Sequence, residues 1–250
     1  MKRSGLHLVT ATLTALALLG SFATAASADS FVVYGARGNV GSLIVAEALR
    51  RGHDVIGVSR DPASLAVDDV HFSTAEGDIT DVDSIVATVR GADAVIIAVG
   101  GVGDGNAPET ATAYLGAKAY VEAASRLGAA TPYVIQVGSG TTLDTNGVRV
   151  LDTLDLEPGS FVHGLYYGHA LALDVYEQAS GFDWTVMSAA YGSILERGDF
   201  TGHYRLGDQE TLFDRNESSL LSKEDFAIAV VDMAESHTVT GKRVAVGPIW

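Results

Sequence analysis

Phe31-Val32-Val33-Tyr34-Gly35-Ala36-Arg37-Gly38-Asn39-Val40-Gly41 is the stretch that decides the fold. A short apolar run meets three glycines in Gly-x-x-Gly-x-x-Gly spacing, and a helical pattern follows over Val40–Arg51. Strand, glycine turn and helix in that order form the phosphate-binding turn of a Rossmann-type unit. Gly35 is expected to permit the tight turn, Gly38 to let backbone approach a pyrophosphate, and Gly41 to let the helix pack closely on the strand. Asn39 and Val40 then sit at the mouth of a helix that offers free N–H groups and a positive dipole end to phosphates. A glycine trio alone is a weak sign. Between the required strand and helix, it points to a nicotinamide dinucleotide.

The same rhythm continues along the chain. Strand candidates are Phe31–Tyr34, Val55–Val58, His71–Ser73, Ala94–Val99, Tyr133–Val137, Trp184–Met187 and Arg243–Val246. Helical patterns lie between them at Val40–Arg51, Val82–Arg90, Glu109–Leu127, Tyr166–Ala179 and Lys223–Glu235, the last announced by the capping pair Ser222 and Asp225. This alternation predicts an α/β fold, a doubly wound parallel sheet covered on both faces. The segment 192–221 breaks the rhythm with glycine, charge and aromatics. Following the sixth strand, it is expected to be a small substrate-side lobe, with a plain surface excursion as the alternative.

Residues 1–28 have the layout of an export leader: basic Lys2 and Arg3, an apolar run Leu8–Leu19, and the small-x-small site Ala26-Ser27-Ala28. The alternative is a retained membrane anchor. The weakly apolar Thr/Ala-rich run and the strand that follows at once favour cleavage, an exported protein, and one Rossmann domain over 29–250. No later window is apolar and long enough to span a bilayer. The leader's Lys2-Arg3 is a degenerate version of a paired-arginine signal, which leaves the export route open.

The chain has 250 residues, no cysteine, 28 glycines and a formal charge of −15. Losing residues 1–28 removes two basic residues and no acidic one, which takes the charge to −17. A surface this acidic repels nucleic acid and anionic membranes, so a small molecule is the expected partner. Without cysteine there is no thiolate chemistry, disulfide or Cys-zinc site.

The end of the second strand reports cofactor choice. An acidic residue there accepts the ribose hydroxyls of NAD, whereas this chain has Ser59-Arg60, with Arg37 inside the glycine turn. Two guanidinium groups favour the 2′-phosphate of NADP(H); the competing arrangement leaves Arg60 solvated and gives the ribose to Asp61. Asp78 and Ile79, after the third strand, are expected near the adenine, with Thr80 or Asp81 capping the next helix. Ala98-Val99-Gly100, after the fourth, are small enough for a cofactor ribose to lie against backbone.

Taken together, Gly35-Ala-Arg-Gly-Asn-Val-Gly41, Gly77-Asp-Ile-Thr-Asp81, Val137-Gly-Ser-Gly140, Asp183-Trp-Thr-Val-Met-Ser188, Thr201-Gly-His-Tyr-Arg-Leu-Gly-Asp208 and Ser222-Lys-Glu-Asp-Phe226 resemble a known family. It is that of the atypical short-chain dehydrogenase/reductases, particularly the candidate NADH-flavin reductases related to biliverdin reductase B. The resemblance covers residues 31–247 and implies NAD(P)H-dependent reduction. The superfamily's usual catalytic set is a serine after the fifth strand and Tyr-x-x-x-Lys on the next helix. Ser139 stands in the serine's place and Tyr166 in the tyrosine's, but the lysine frame falls on Ala170. A second Tyr-x-x-x-Lys, Tyr114 to Lys118, lies on the wrong helix and reads as a surface coincidence.

Without that lysine, a tyrosine near its ordinary pKa of ~10 is a poor proton relay for ketone reduction at neutral pH. Flavin reduction asks less of the protein, mainly the stacking of two planar rings at the right distance. Ser139, Tyr166 and His169, one helical turn beyond Tyr166, are the candidate catalytic residues. His163 and His203 are expected to be ordinary hydrogen-bonded histidines, and Trp184, Tyr191 and Tyr204 core aromatics. The expected function is hydride transfer from NADPH to FMN, riboflavin or a similar planar acceptor. The alternatives are a non-catalytic NADP(H)-binding redox sensor, and a carbonyl reductase or epimerase with a non-standard proton donor.

Overall fold

The structure, a computed structural model, describes residues 28–192 and 198–250; the leader reading rests on residues outside these, apart from Ala28. Strands β1 (Ser30–Tyr34), β2 (Asp54–Ser59), β3 (Phe72–Glu76), β4 (Ala94–Ile97), β5 (Tyr133–Val137), β8 (Trp184–Ala189), β9 (Arg205–Gly207) and β10 (Lys242–Gly247) form one sheet. Its order is β3-β2-β1-β4-β5-β8-β10-β9, parallel except for β9, which runs antiparallel to β10 at the edge. A small hairpin, β6 (Asp144–Thr145) with β7 (Val148–Arg149), stands apart.

Alternation along β1 builds two cores. Phe31 and Val33 face α1 (Gly41–Arg50) and α5 (Lys223–Ser236), while Val32 and Tyr34 face α2 (Val82–Thr88), α3 (Thr112–Leu127) and α4 (Phe161–Glu177). Both faces of the sheet are thus covered, as a doubly wound fold requires. Ile44 of α1 and Tyr120 of α3 are fully buried on opposite sides, each removing a large apolar surface from water at about 2 kcal/mol of stabilisation.

The expected elements exist, with boundaries that moved for identifiable reasons. The third strand begins at Phe72 and continues to Glu76 rather than ending at Ser73; it is the polar, half-exposed edge, so its apolar signal is short. The fourth helix begins at Phe161 rather than Tyr166, because the Ser160 hydroxyl accepts the His163 N–H at 3.2 Å and caps it. The third helix starts at Thr112, three residues late, since Pro108–Thr110 form a separate tight turn. Asp81, rather than Thr80, caps α2 by accepting the Ser84 N–H at 2.9 Å. β9 matches none of the strand candidates. It lies within 192–221, whose described part packs along the β10 edge and the C-terminal residues.

Candidate functional site

The carboxyl ends of β1, β2 and β4 open into a cleft of about 540 Å³. Gly35, Ala36, Arg37 and Gly38 form one wall, Ser59 and Arg60 the rim, and Asp78, Ile79, Ala98, Val99 and Gly100 the far side. The geometry of the turn explains the glycines. Gly35 has φ +80°, and a Cβ there would stand 2.3 Å from the Ala98 carbonyl oxygen; at Gly41 it would stand 2.1 Å from the Gly35 oxygen. Gly41 lines neither cavity and serves the packing of α1 against the turn. The turn closes with the Gly38 N–H donating to the Gly35 oxygen at 2.8 Å, and Ser42 donating to Gly38 at 3.0 Å. Among the described residues no backbone carbonyl accepts from Asn39, Val40 or Gly41, so their N–H groups remain available to an anion.

Arg50, Arg51, Arg126 and Arg149 are engaged in internal ion pairs, whereas exposed Arg37 and Arg60 form none among the described residues. Ser59 is held locally, its Oγ bonding the backbone oxygen and N–H of Asp61 at 3.0 and 3.1 Å. Asp78 uses one carboxylate oxygen within its own turn, accepting from the Thr80 N–H and hydroxyl at 2.9 and 2.8 Å. Tyr34, the last residue of β1, also lines this cleft. Its hydroxyl pairs with Thr88 Oγ1 at 2.5 Å, and burial pushes its pKa up to about 12. These features fit a dinucleotide: a backbone cradle closed to side chains, free N–H donors and two unpaired cations.

Gly38, Ala98, Val99 and Gly100 are a shared wall with a second, more apolar cavity of about 330 Å³. Asn39, Val40, Ser139, Tyr166, His169 and Tyr191 line it. The structure therefore brings the three candidate catalytic residues together beside the cofactor cleft. Ser139 is partly occupied in shaping its own loop, with its Oγ 2.8 Å from Thr141 Oγ1 and accepting the Thr141 N–H at 3.3 Å. Tyr166 is half-buried, and desolvation, with Tyr191 beside it, holds its phenol above the ordinary value. His169 Nδ1 is buried without a partner, and burial depresses the ring's pKa to about 4. Neutral imidazole is thus its form at physiological pH.

The aromatic residues divide. Trp184 is core, packed on Tyr176 at 5.5 Å, and the Tyr204 hydroxyl donates to Asp232 at 2.6 Å. Tyr191 departs from the core expectation. It is 42 % exposed, lines the cavity, and meets Tyr166 edge-on at 5.9 Å. No periodicity marks it, because it lies just past the end of β8. His163 and His203 line neither cavity; the His163 ring packs on Tyr167, though its Nδ1 is buried without a partner. Exposed Lys118 lies over Tyr114 at 5.4 Å, and neither residue borders either cavity. Lys118→Ala is accordingly expected to leave NADPH binding and oxidation unchanged. A loss beyond about threefold in steady-state kinetics would restore that lysine to the site.

Two glycines seat α4 against the loop after β4. A Cβ at Gly164 would stand 2.2 Å from the Asn106 oxygen, and one at Gly168 would stand 2.1 Å from Ala111 Cβ. This close approach places Tyr166 and His169 at the cavity edge.

Comparison with known proteins agrees with this geometry. The sequence profile of the NAD(P)H-binding family matches residues 35–237. An uncharacterized Bacillus subtilis protein, YwnB, is 25 % identical over 216 residues, which are 86 % of this chain and 96 % of the relative. Among solved structures, a candidate epimerase from Bacteroides thetaiotaomicron is 26 % identical with a TM-score of 0.75, covering 90 % of this chain and 99 % of its own. A candidate NADH-flavin reductase from Streptococcus pneumoniae is 26 % identical with a TM-score of 0.69, covering 88 % and 99 %. A candidate exported protein from Burkholderia pseudomallei is 28 % identical with a TM-score of 0.69, covering 88 % and 100 %. The chain belongs to the NAD(P)H-binding family, an oxidoreductase-like group of Rossmann proteins akin to the atypical short-chain dehydrogenase/reductases.

Proposed function

We propose that this protein passes hydride from NADPH to a flavin, FMN or riboflavin, or to a similar planar acceptor. The observation that carries the reading is the second cavity's lining: apolar walls, the two tyrosine rings and, among the described residues, no side chain shifted toward acid–base duty near neutral pH. The bound nicotinamide supplies a hydride. Tyr166 and Tyr191 offer flat surfaces and hydroxyl donors to the acceptor, Ser139 a further hydroxyl, and neutral His169 a ring that holds no charge. The acceptor takes its accompanying proton from solvent. A ketone would need that proton at one oxygen, and a tyrosine raised above its ordinary value is a weaker source of it. NADPH is favoured over NADH by the unpaired Arg37 and Arg60. The candidate NADH-flavin reductase among the similar structures supports the acceptor class.

The test is NADPH absorbance with FMN, riboflavin, quinones and aldehydes in parallel. Flavin- or quinone-dependent oxidation is expected, with aldehydes inert. No oxidation with any acceptor would leave the sensor reading in its place. Turnover should also be flat between pH 5.5 and 8. His169, already neutral above about pH 4, and Tyr166, whose phenol is held above its ordinary value by burial, do not titrate in that window. A kcat limb near pH 6.5 would show that His169 works as an acid or base. Export, with the leader cut after Ala28, is part of the same proposal; the candidate exported protein from Burkholderia pseudomallei supports it, and cell fractionation tests it.

A further inference from the structure

At the opposite ends of the strands from the cofactor cleft, a charged cluster surrounds the point where the sheet begins. His53 is 5 % exposed and its ring lies on Phe31 at 4.6 Å. Its Nε2 is 2.7 Å from Glu235 Oε1 and donates to it. That leaves Nδ1 as an acceptor, and it takes the backbone N–H of Asp29 at 3.2 Å. The Asp29 carboxylate is 3.8 Å from the same ring nitrogen. Asp29 is also fixed from its other side: its carbonyl accepts the Asp54 N–H at 2.9 Å, and the next N–H, of Ser30, donates to Asp93 at 2.8 Å. Ala28, one residue earlier, is exposed.

Among the described residues the cluster is short of positive charge. Arg51 binds Glu47, Asp232 and Glu235 at 2.8, 2.5 and 2.8 Å, and Arg50 adds a bond to Glu47. Four carboxylates, from Asp29, Glu47, Asp232 and Glu235, thus face two guanidinium groups, while Tyr204 donates a neutral hydroxyl to Asp232. Asp54 and Asp93 stand near the same strand ends and add no cation.

We propose that His53, Asp29 and Glu235 form a docking site for a processed α-amino group, that of a chain cut between Ala28 and Asp29. The inference rests on the export reading. Hydrolysis of that bond by a peptidase adds one water: Ala28 leaves with a carboxylate and Asp29 keeps its nitrogen as an ammonium. The amide N–H at Asp29 has one hydrogen, already given to His53. The ammonium has three, and it brings a positive charge into a cluster with two uncompensated negative ones. Processing then strengthens the start of β1 instead of leaving a loose end.

The test compares chains that begin at Asp29 with a free amine, at Asp29 with an acetylated amine, and at Ala26. All three chains keep residues 29–250, which hold every described strand and helix. The free-amine chain is expected to melt about 2–4 °C above the other two at low salt, as expected for one partly buried charge pair in a domain this size. The gain should fall by at least half in Glu235→Gln, which keeps the side chain's volume. Equal Tm values for the three chains, or a gain undiminished in Glu235→Gln, would overturn the docking site. Intact mass of the protein recovered from a bacterial periplasm addresses the export reading separately. A mass of residues 29–250 supports the Ala28 junction, and any other start overturns it without touching the Tm comparison.

Discussion

Gly35→Ala should abolish NADPH binding, with at least a hundredfold loss of affinity, and lower Tm by about 5–10 °C. Two costs act together. The residue sits at φ +80°, where a side chain costs about 1 kcal/mol, and the new Cβ would stand 2.3 Å from the Ala98 oxygen, an overlap no rotamer can relieve. Relief requires β1 and β4 to move apart or the turn to open, and either displaces the N–H groups that face the phosphates. About 2–3 kcal/mol of destabilisation corresponds to that Tm shift in a domain of this length. Gly52→Ala is the control: it shares the conformation, at φ +86°, but has nothing within 4 Å of its Cβ. It should lose only the strain, and its binding should be unaltered. A fluorescence titration in which Gly35→Ala still binds NADPH like the parent would show that this turn is not the phosphate cradle.

The double substitution Arg37→Ala, Arg60→Ala should raise the Kd for NADPH by about 10- to 100-fold and change that for NADH by less than threefold. Both guanidinium groups are exposed, so each phosphate contact is discounted to roughly 0.7–1.4 kcal/mol relative to a buried pair. The preference for NADPH should also fall as salt rises, because the contacts are solvent-screened. Equal losses for both cofactors would assign the two arginines to the pyrophosphate. An unchanged preference would hand the ribose to Asp61.

These two expectations come from the part of the chain that sequence reads well. The glycine turn is legible because backbone sterics dictate it, and the buried strands because two-sided burial leaves continuous apolar runs such as Tyr133–Val137, whose bounds are those expected. Where burial is one-sided, legibility falls. The edge strand β3 shows the burial pattern of a half-solvated surface and reads as three residues instead of five. The antiparallel β9, with only three residues, has no pattern to read, and its pairing with β10 is a tertiary fact. Around the second cavity, spacing and resemblance pick out Ser139, Tyr166 and His169. They do not pick out Tyr191, since its place depends on where β8 ends relative to α4. Likewise the unpartnered Nδ1 of His169 follows from the close seating of α4, which Gly164 and Gly168 permit but do not announce.

The seating of α4 separates two evolutionary fates within one site. Neither α4 nor residues 189–192 line the cofactor cleft, yet together they supply half of the side chains that line the second cavity. Substitutions there redraw the second cavity while leaving the glycine turn untouched. Divergence can therefore proceed on one half of the site under full constraint on the other. A single scaffold can in this way underlie both a candidate epimerase and a candidate flavin reductase, each only 26 % identical to this chain.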